Sequence, residues 1–598
     1  MSVTAKLFKL DDREIPFEAG DTIIQAATRA GVDIPHYCWH PGLSVAANCR
    51  MCLVEMMPPP GRKAMMLEVA RFDSASGTYV KEQKPKLVPA CQQSVAEGMD
   101  IRSNSSDHVI RARASVQEFL LLNHPVDCPI CDQAGECRLQ DYWLEHQQTK
   151  KRMRDEPVHK PKAVVFGPTI VYDAERCIAC TRCIRFCDEV AKDPVLTLRQ
   201  RGNLNEIAVA PGRQLDNAYT LMTEHVCPVG ALTARDFRFK ARVWFLRSAE
   251  TICTGCARGC NSYTDYDPRQ QKVYRYRPRT NETVNKHWMC DDGMLSYRRI
   301  TEGRITASSV EGQVVEDAQA VERAVSLLRG IDGKKLAILM GSEFSLEDNA
   351  VLLALGRNLG AESFFESGQP SGKFDQVLML ADKNPNTAGV QALLDTDPLP
   401  ISELAQGVSS GRFTHVLSLG TTLKEREAEE SLALQKATRI AIGSHQGALA
   451  EGANVVLAVA CWAEAEGIFV NVGGLAQRSS RAVLPPSGLE PAHQVIAAVA
   501  HALGQGPKQL SLSEIRATID RDARELAPGT VRLARIALPN LVERPVLWGT
   551  QLGPSSDQSG GVQSGYLESS LDQSSQDQSS QDQSIGKVRF EKNRGASL

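Results

Sequence analysis

No stretch of this 598-residue chain holds the uncharged apolar run that a bilayer-crossing helix needs, a run of about 18 residues or more. The opening MSVTAKLFKLDDREI lacks the apolar core and small-residue cleavage site of a secretory signal, so export is not expected. A formal net charge of −3 leaves no basic excess for nucleic acid as a main partner. SLGTTLK (418–424) lacks the glycine spacing of a dinucleotide fingerprint and reads as a strand end. No catalytic acid–base constellation is evident either. Cysteine is nearly missing from the second half: sixteen of seventeen lie before residue 291, and only Cys461 follows.

What is present is therefore concentrated in the first half. A disulfide framework would suit a short secreted chain, which this is not, so metal sites are the expectation. The first group is Cys38, Cys49, Cys52 and Cys91. It follows a β-grasp-like start: AKLFKL (5–10) as a strand, DDRE as a turn, IPFEAG as a second strand. Asp21 is expected to cap a helix over TIIQAATRA that ends at Gly31. The loop HYCWHPGLSVAANCRMC resembles the plant-type [2Fe–2S] arrangement, although ten residues separate Cys38 from Cys49, against about four in that type. The small residues Gly42, Ser44, Ala46 and Ala47 suit a backbone that closes on sulfur. A zinc site would accept the same four thiolates.

The second group, HPVDCPICDQAGEC, has only three cysteines, Cys128, Cys131 and Cys137. His124 precedes them by four residues, and imidazole is a competent donor. An arbitrary histidine before proline reads as a surface residue; beside a site one ligand short, His124 points to the missing ligand. His36 and His108 keep the ordinary reading. The third group, CIACTRCIRFC with a distant Cys-Pro, carries the bacterial ferredoxin signature for [4Fe–4S] on Cys177, Cys180, Cys183 and Cys227. No second cysteine run precedes Cys227, so one cluster is the consistent count and Cys187 is a spare buried thiol. The fourth group is Cys253, Cys256, Cys260 and Cys290, with YDPRQQKVYRYRPR between them alternating as small-sheet strands. Four consecutive sites, one with a histidine, make better sense as an electron wire than as four zinc knuckles.

The order of these groups, with HPVDCPICDQAGEC second and CPVGAL closing the third, resembles the large iron–sulfur subunit of respiratory complex I. The same modules occur in NAD-linked hydrogenases and some formate dehydrogenases. The resemblance covers residues 1 to about 300 and implies one [2Fe–2S] and three [4Fe–4S] clusters on the residues named, with His124 as a ligand. It implies a peripheral position on the cytoplasmic side of a bacterial inner membrane, reached only through the complex. The implied partners are a flavin- and NADH-binding subunit, a small [2Fe–2S] subunit, a two-cluster ferredoxin-like subunit and quinone-side subunits. An NAD-linked formate dehydrogenase or a soluble NAD-reducing hydrogenase is the alternative.

After Cys290 the composition turns to Ala, Leu, Val and Glu. KKLAILMG (334–341), HVLSLG (415–420), ATRIAIGS (437–444) and NVVLAVA (454–460) read as buried strands, and Leu346 to Leu359 as a helix ending at Gly360. LKEREAEESLALQKA reads as another helical stretch. A parallel doubly wound sheet follows. ACWAEAEGIFVNVGGLAQRS (460–479) resembles a molybdopterin-oxidoreductase segment, but no cysteine stands between 291 and 460 to ligate molybdenum. A degenerate scaffold without molybdenum cofactor is the expectation. The fold class is multidomain α+β and α/β. The boundaries are 1–95, 96–145, 146–245 and 246–302 for the four cluster domains, 303–552 for the α/β domain, and 553–598 for a disordered low-complexity tail. KVRFEKNR is a short basic exception in that tail.

Overall fold

The computed structural model describes residues 6–146, 152–394, 396–424, 433–486 and 488–525, all within one compact unit. The tail from 553 and most of LKEREAEESLALQKA lie outside the described residues.

Asp11 and Asp12 both adopt positive φ (47° and 67°), which closes a two-residue turn between Leu7–Leu10 and Arg13–Pro16. Such a turn matches the twist of the flanking strands. The second strand therefore starts at Arg13, two residues inside the expected DDRE turn. The helix that follows spans Ile23–Arg29 and is capped by Thr22, not Asp21: Thr22 and Gln25 bond reciprocally as a capping box. Asp21 instead accepts from the Glu18 N–H and pairs with Arg29. The helix packs Ile23, Ile24, Ala26 and Ala27 on the sheet, whose order is Arg13–Pro16, Leu7–Leu10, Asp100–Arg102, Leu53–Met57, Leu87–Pro89. Its Asp100–Arg102 strand runs parallel to Leu7–Leu10 and lies past residue 95. An antiparallel ribbon, Met66–Asp73 with Thr78–Pro85, is inserted between Leu53–Met57 and Leu87–Pro89 and has no counterpart among the sequence expectations.

The next modules carry little regular structure. Asp107–Leu121 and Arg138–His146 flank the second cysteine group. The third group is held by Arg182–Glu189 and Leu221–Val226. A three-stranded sheet, Arg247–Ile252, Asn261–Asp267 and Lys272–Pro278, carries the fourth, as the alternation of YDPRQQKVYRYRPR predicts.

The second half is the expected doubly wound sheet. Leu336–Gly341 pairs parallel with both Ser363–Ser367 and His415–Leu419, and Thr438–Gly443 and Val455–Ala458 continue the parallel run. Every residue of Leu336–Gly341 is buried, which is why its sequence shows no alternation. The strand Ser363–Ser367 gives no strand signal in the sequence because SFFES mixes polar and aromatic residues. The helix Leu346–Asn358 starts at a Ser345/Asp348 capping box and stops before Gly360, whose φ of +75° no longer fits a helix. Among the described residues no helix is long and apolar enough to cross a membrane.

Candidate metal centres

None of the seventeen cysteines forms a disulfide. In the first group the sulfurs pair off: Cys38 and Cys49 are within thiol hydrogen-bond reach of one another, and so are Cys52 and Cys91. Two-by-two pairing is what a two-iron centre requires, since each iron takes two thiolates. The other groups share cavities instead. His124, Cys128, Cys131 and Cys137 line one cavity of about 410 Å³. Cys177, Cys180, Cys183 and Cys227 line a narrow one walled by Tyr172, Ile207 and Val229. Cys253, Cys256, Cys260 and Cys290 line another, beside Gly255 and Gly293. Among the described residues no three His, Cys, Asp or Glu side chains converge closely enough for a single metal ion.

The loops are shaped around the sulfurs. Ala47, Arg50, Ala179 and Thr181 take the left-handed conformation although none is glycine, a strain that surrounding structure must hold in place. Backbone N–H groups in these loops reach sulfur, one of them from the left-handed Ala179. Cys38 N–H donates to Cys49 Sγ at 3.4 Å, Ala179 N–H to Cys177 Sγ at 3.4 Å, Gly255 N–H to Cys253 Sγ at 3.4 Å and Gly293 N–H to Cys290 Sγ at 3.3 Å. A Cβ on Gly230 would lie 2.3 Å from Cys131 Sγ, so the third group's CPVGAL loop presses on the second group's sulfur. Burial pushes Cys180 up to about 11 and Cys137 and Cys253 up to about 12. Such thiols ionise only when a cation replaces their protons.

His124 lies beside the three cysteines of the second group with one ring nitrogen unengaged. Its Nδ1 is buried and has no hydrogen-bond partner, an unusual state for a ring nitrogen. Burial lowers its pKa to about 4, so the imidazole is neutral with a lone pair available. His36 and His108, by contrast, bond ordinary partners, the Ile34 carbonyl and Glu55. Cys187 is fully buried but does not line the third cavity, and burial beside Asp193 pushes it up to about 12. Cys187→Ser should leave the metal content and every cluster signal intact, while the buried hydroxyl costs about 1–3 kcal/mol in a denaturation experiment.

The tertiary arrangement differs from the chain order, and sequence spacing could not reveal this. The third site contacts both the first and the second. Asn48 Nδ2 donates to the Ala179 carbonyl at 3.2 Å, and Arg182 donates to the carbonyls of Trp39 and Val226. On the other side Arg176, just before Cys177, holds Asp127, just before Cys128, through two bonds of 3.0 and 2.6 Å. The fourth site joins the third through Asp291, whose carboxylate accepts from the N–H groups of Thr220 and Leu221 at 3.0 and 2.9 Å. Cysteines of all four groups belong to or pack on one continuous apolar core.

Four cysteine-rich sites on a mixed α/β frame define an iron–sulfur protein, and comparison with known families agrees. Residues 7–106 match the 2Fe-2S iron-sulfur cluster binding domain, 113–152 the NADH-ubiquinone oxidoreductase-G iron-sulfur binding region, 167–233 the ferredoxin-like domain of NADH-quinone oxidoreductase subunit 3, and 330–502 the molybdopterin oxidoreductase family. The chain is related to the G-type subunits of NADH-quinone oxidoreductase. It is 34% identical to the one from Rickettsia felis over 61% of this chain and 51% of the relative. It is 35% identical to the mitochondrial NADH-ubiquinone oxidoreductase 78 kDa subunit of Neurospora crassa over 61% of this chain and 46% of the relative. The chain thus spans about half the length of the curated relatives it matches. A solved structure titled NAD+-reducing [NiFe]-hydrogenase in the H2-reduced state aligns at 27% identity and a TM-score of 0.32, covering 40% of this chain and 92% of that one.

The truncated molybdopterin-oxidoreductase domain implies a phosphate-bearing pterin, and the residues here do not fit one. The crevice beyond the carboxyl ends of the parallel strands measures about 200 Å³ and sets Glu302, Glu343, Asp348 and Glu466 against Arg299 alone. Its polar groups bond one another: Arg299 and Thr422 to Glu343, Ser345 to Asp348, Thr421 to the His445 carbonyl. An anionic ligand would meet carboxylates and spent donors.

Proposed function

We propose that this chain is the iron–sulfur electron-transfer subunit of a proton-pumping NADH:quinone oxidoreductase, peripheral on the cytoplasmic side of a bacterial inner membrane. In this reading Cys38, Cys49, Cys52 and Cys91 hold a [2Fe–2S] centre. His124 with Cys128, Cys131 and Cys137, Cys177 with Cys180, Cys183 and Cys227, and Cys253 with Cys256, Cys260 and Cys290 hold three [4Fe–4S] centres. The observation that carries the proposal is that one apolar core takes in cysteines of the second, third and fourth groups and is met by Cys49 of the first. Each centre, when bound, takes up and releases one electron at a potential set by its ligands and hydrogen bonds. The chain's own residues hold the thiolates, keep water away from them and aim N–H donors at sulfur. Electrons enter from a flavin-bearing subunit, reach the third site from the first, and leave toward a further iron–sulfur subunit and quinone. The small [2Fe–2S] subunit and the two-cluster ferredoxin-like subunit complete the partners. The domain division proposed is the one set out from the sequence, except that the first module reaches past residue 95 to include Asp100–Arg102. The α/β half is support.

Anaerobic purification of the intact assembly, with iron, labile sulfide, zinc and molybdenum counted per chain, tests the proposal. Iron and sulfide in the amounts of one [2Fe–2S] and three [4Fe–4S] centres are expected. Stoichiometric zinc without sulfide, or molybdenum in proportion to protein, would overturn it.

A further inference from the structure

Several side chains bridge the first and third sites, and one of them bonds the backbone carbonyl of a cysteine from each. Arg185 stands on the helix Arg182–Glu189, two residues after Cys183. Its Nη2 donates to the Cys38 carbonyl at 2.6 Å and to the Cys180 carbonyl at 3.4 Å. Its Nη1 donates to the Ser44 carbonyl, and its Nε to Thr181 Oγ1 at 3.3 Å. The two carbonyls on Nη2 belong to cysteines of different sites, 142 residues apart. From one cysteine to the other the route is covalent except for two hydrogen bonds. The first and second sites also meet, through the edge of Tyr37 on Tyr142 and through longer links such as Tyr37 Oη to Gln117 Oε1 at 2.5 Å and Gln117 Nε2 to the Leu139 carbonyl at 3.0 Å, but there no single side chain bonds the carbonyls of a cysteine from each site.

We infer that Arg185 is the positioning residue that couples the first and third sites, tying the Cys38 and Cys180 backbones to one guanidinium and so giving one electron its shortest bonded route between them. The inference rests on the electron-transfer reading above. One electron passes from the first site to the third; no bond is made and no proton moves. Tunnelling decays less steeply along bonds than across gaps, so a nitrogen shared by both ligand residues raises the coupling. It also holds the separation constant. The planar guanidinium is suited to this, because its donors point in fixed directions while a lysine offers one mobile ammonium.

The test uses the complete chain in its native assembly, purified anaerobically, as wild type, Arg185→Met and Arg185→Lys. A photoreduced deazaflavin, a one-electron donor, is supplied below stoichiometry. Freeze-quench electron paramagnetic resonance then follows the first-site and third-site signals as they equilibrate, and a redox titration gives both midpoint potentials. Both variants are expected to equilibrate the two signals several-fold more slowly than wild type. Arg185→Lys, which keeps the charge, should leave both potentials near their wild-type values. That combination separates coupling from electrostatics and from loss of fold. If Arg185→Met fails to retain its clusters, Arg185→Lys decides. Wild-type equilibration in Arg185→Lys with both clusters present would overturn the role of Arg185. Absence of both signals from the wild-type assembly would instead overturn the electron-transfer reading.

Discussion

His124→Ala should remove or alter one [4Fe–4S] signal and lower the iron count by up to one such cluster, while the [2Fe–2S] signal survives. The reason is geometric. His124 faces the same cavity as Cys128, Cys131 and Cys137, and its buried Nδ1 bonds nothing in the protein. A buried polar atom without a partner costs about 1–3 kcal/mol, so truncation of a merely structural His124 should stabilise the chain or leave it unchanged. Truncation of a ligand should do the opposite, because one corner of the cluster is then open to solvent. His124→Cys separates the cases further: a thiolate in place of neutral imidazole should retain a cluster and lower its potential. An unchanged spectrum and iron count in His124→Ala would show that another group completes the site.

Trp288→Ala is expected to cost about 3–5 kcal/mol, the range for truncating a large buried aromatic. Unlike an ordinary core substitution, it should also loosen three sites at once. The indole is 2% exposed and two residues before Cys290. His40 stacks on it at 5.1 Å, and Phe186 packs at 5.2 Å from the helix that bears Cys183 and Cys187. Gly42 lies so close that a Cβ there would sit 2.6 Å from the ring. Trp288 therefore wedges the first cysteine loop against the third and fourth modules. Thermal denaturation followed by cluster absorbance should show a lower midpoint and early bleaching in Trp288→Ala. Trp288→Phe should recover part of the loss. Normal cluster retention in Trp288→Ala would mean that the modules hold their loops independently.

The sequence made the cysteine groups legible because a loop brings thiols a few residues apart together almost regardless of what surrounds it. Cys177, Cys180 and Cys183 could hardly avoid a common cavity. The strands Leu336–Gly341, His415–Leu419, Thr438–Gly443 and Val455–Ala458 were equally readable, being buried on both faces and apolar throughout. Local chemistry misled only at edges. Asp21 looked like the better cap, yet Thr22 bonds Gln25 while Asp21 is drawn to Arg29. The ribbon Met66–Asp73 with Thr78–Pro85 gave little signal because none of its residues is buried, so neither strand had a buried face to encode.

Composition and spacing alone thus determined that the front half carries sulfur-rich sites, that His124 stands where a fourth ligand is wanted, and that the rear half is a wound sheet. Which sites are neighbours was decided only by the folded chain. The third group meets both of the first two because Arg176, Arg182 and Arg185 each bond residues far away in sequence, and no local pattern records where a guanidinium will find its acceptors. The closing of the sheet's crevice is of the same kind: Arg299, Thr422 and Glu343 come from three separate loops, and only their meeting leaves an acidic hollow with its donors already used.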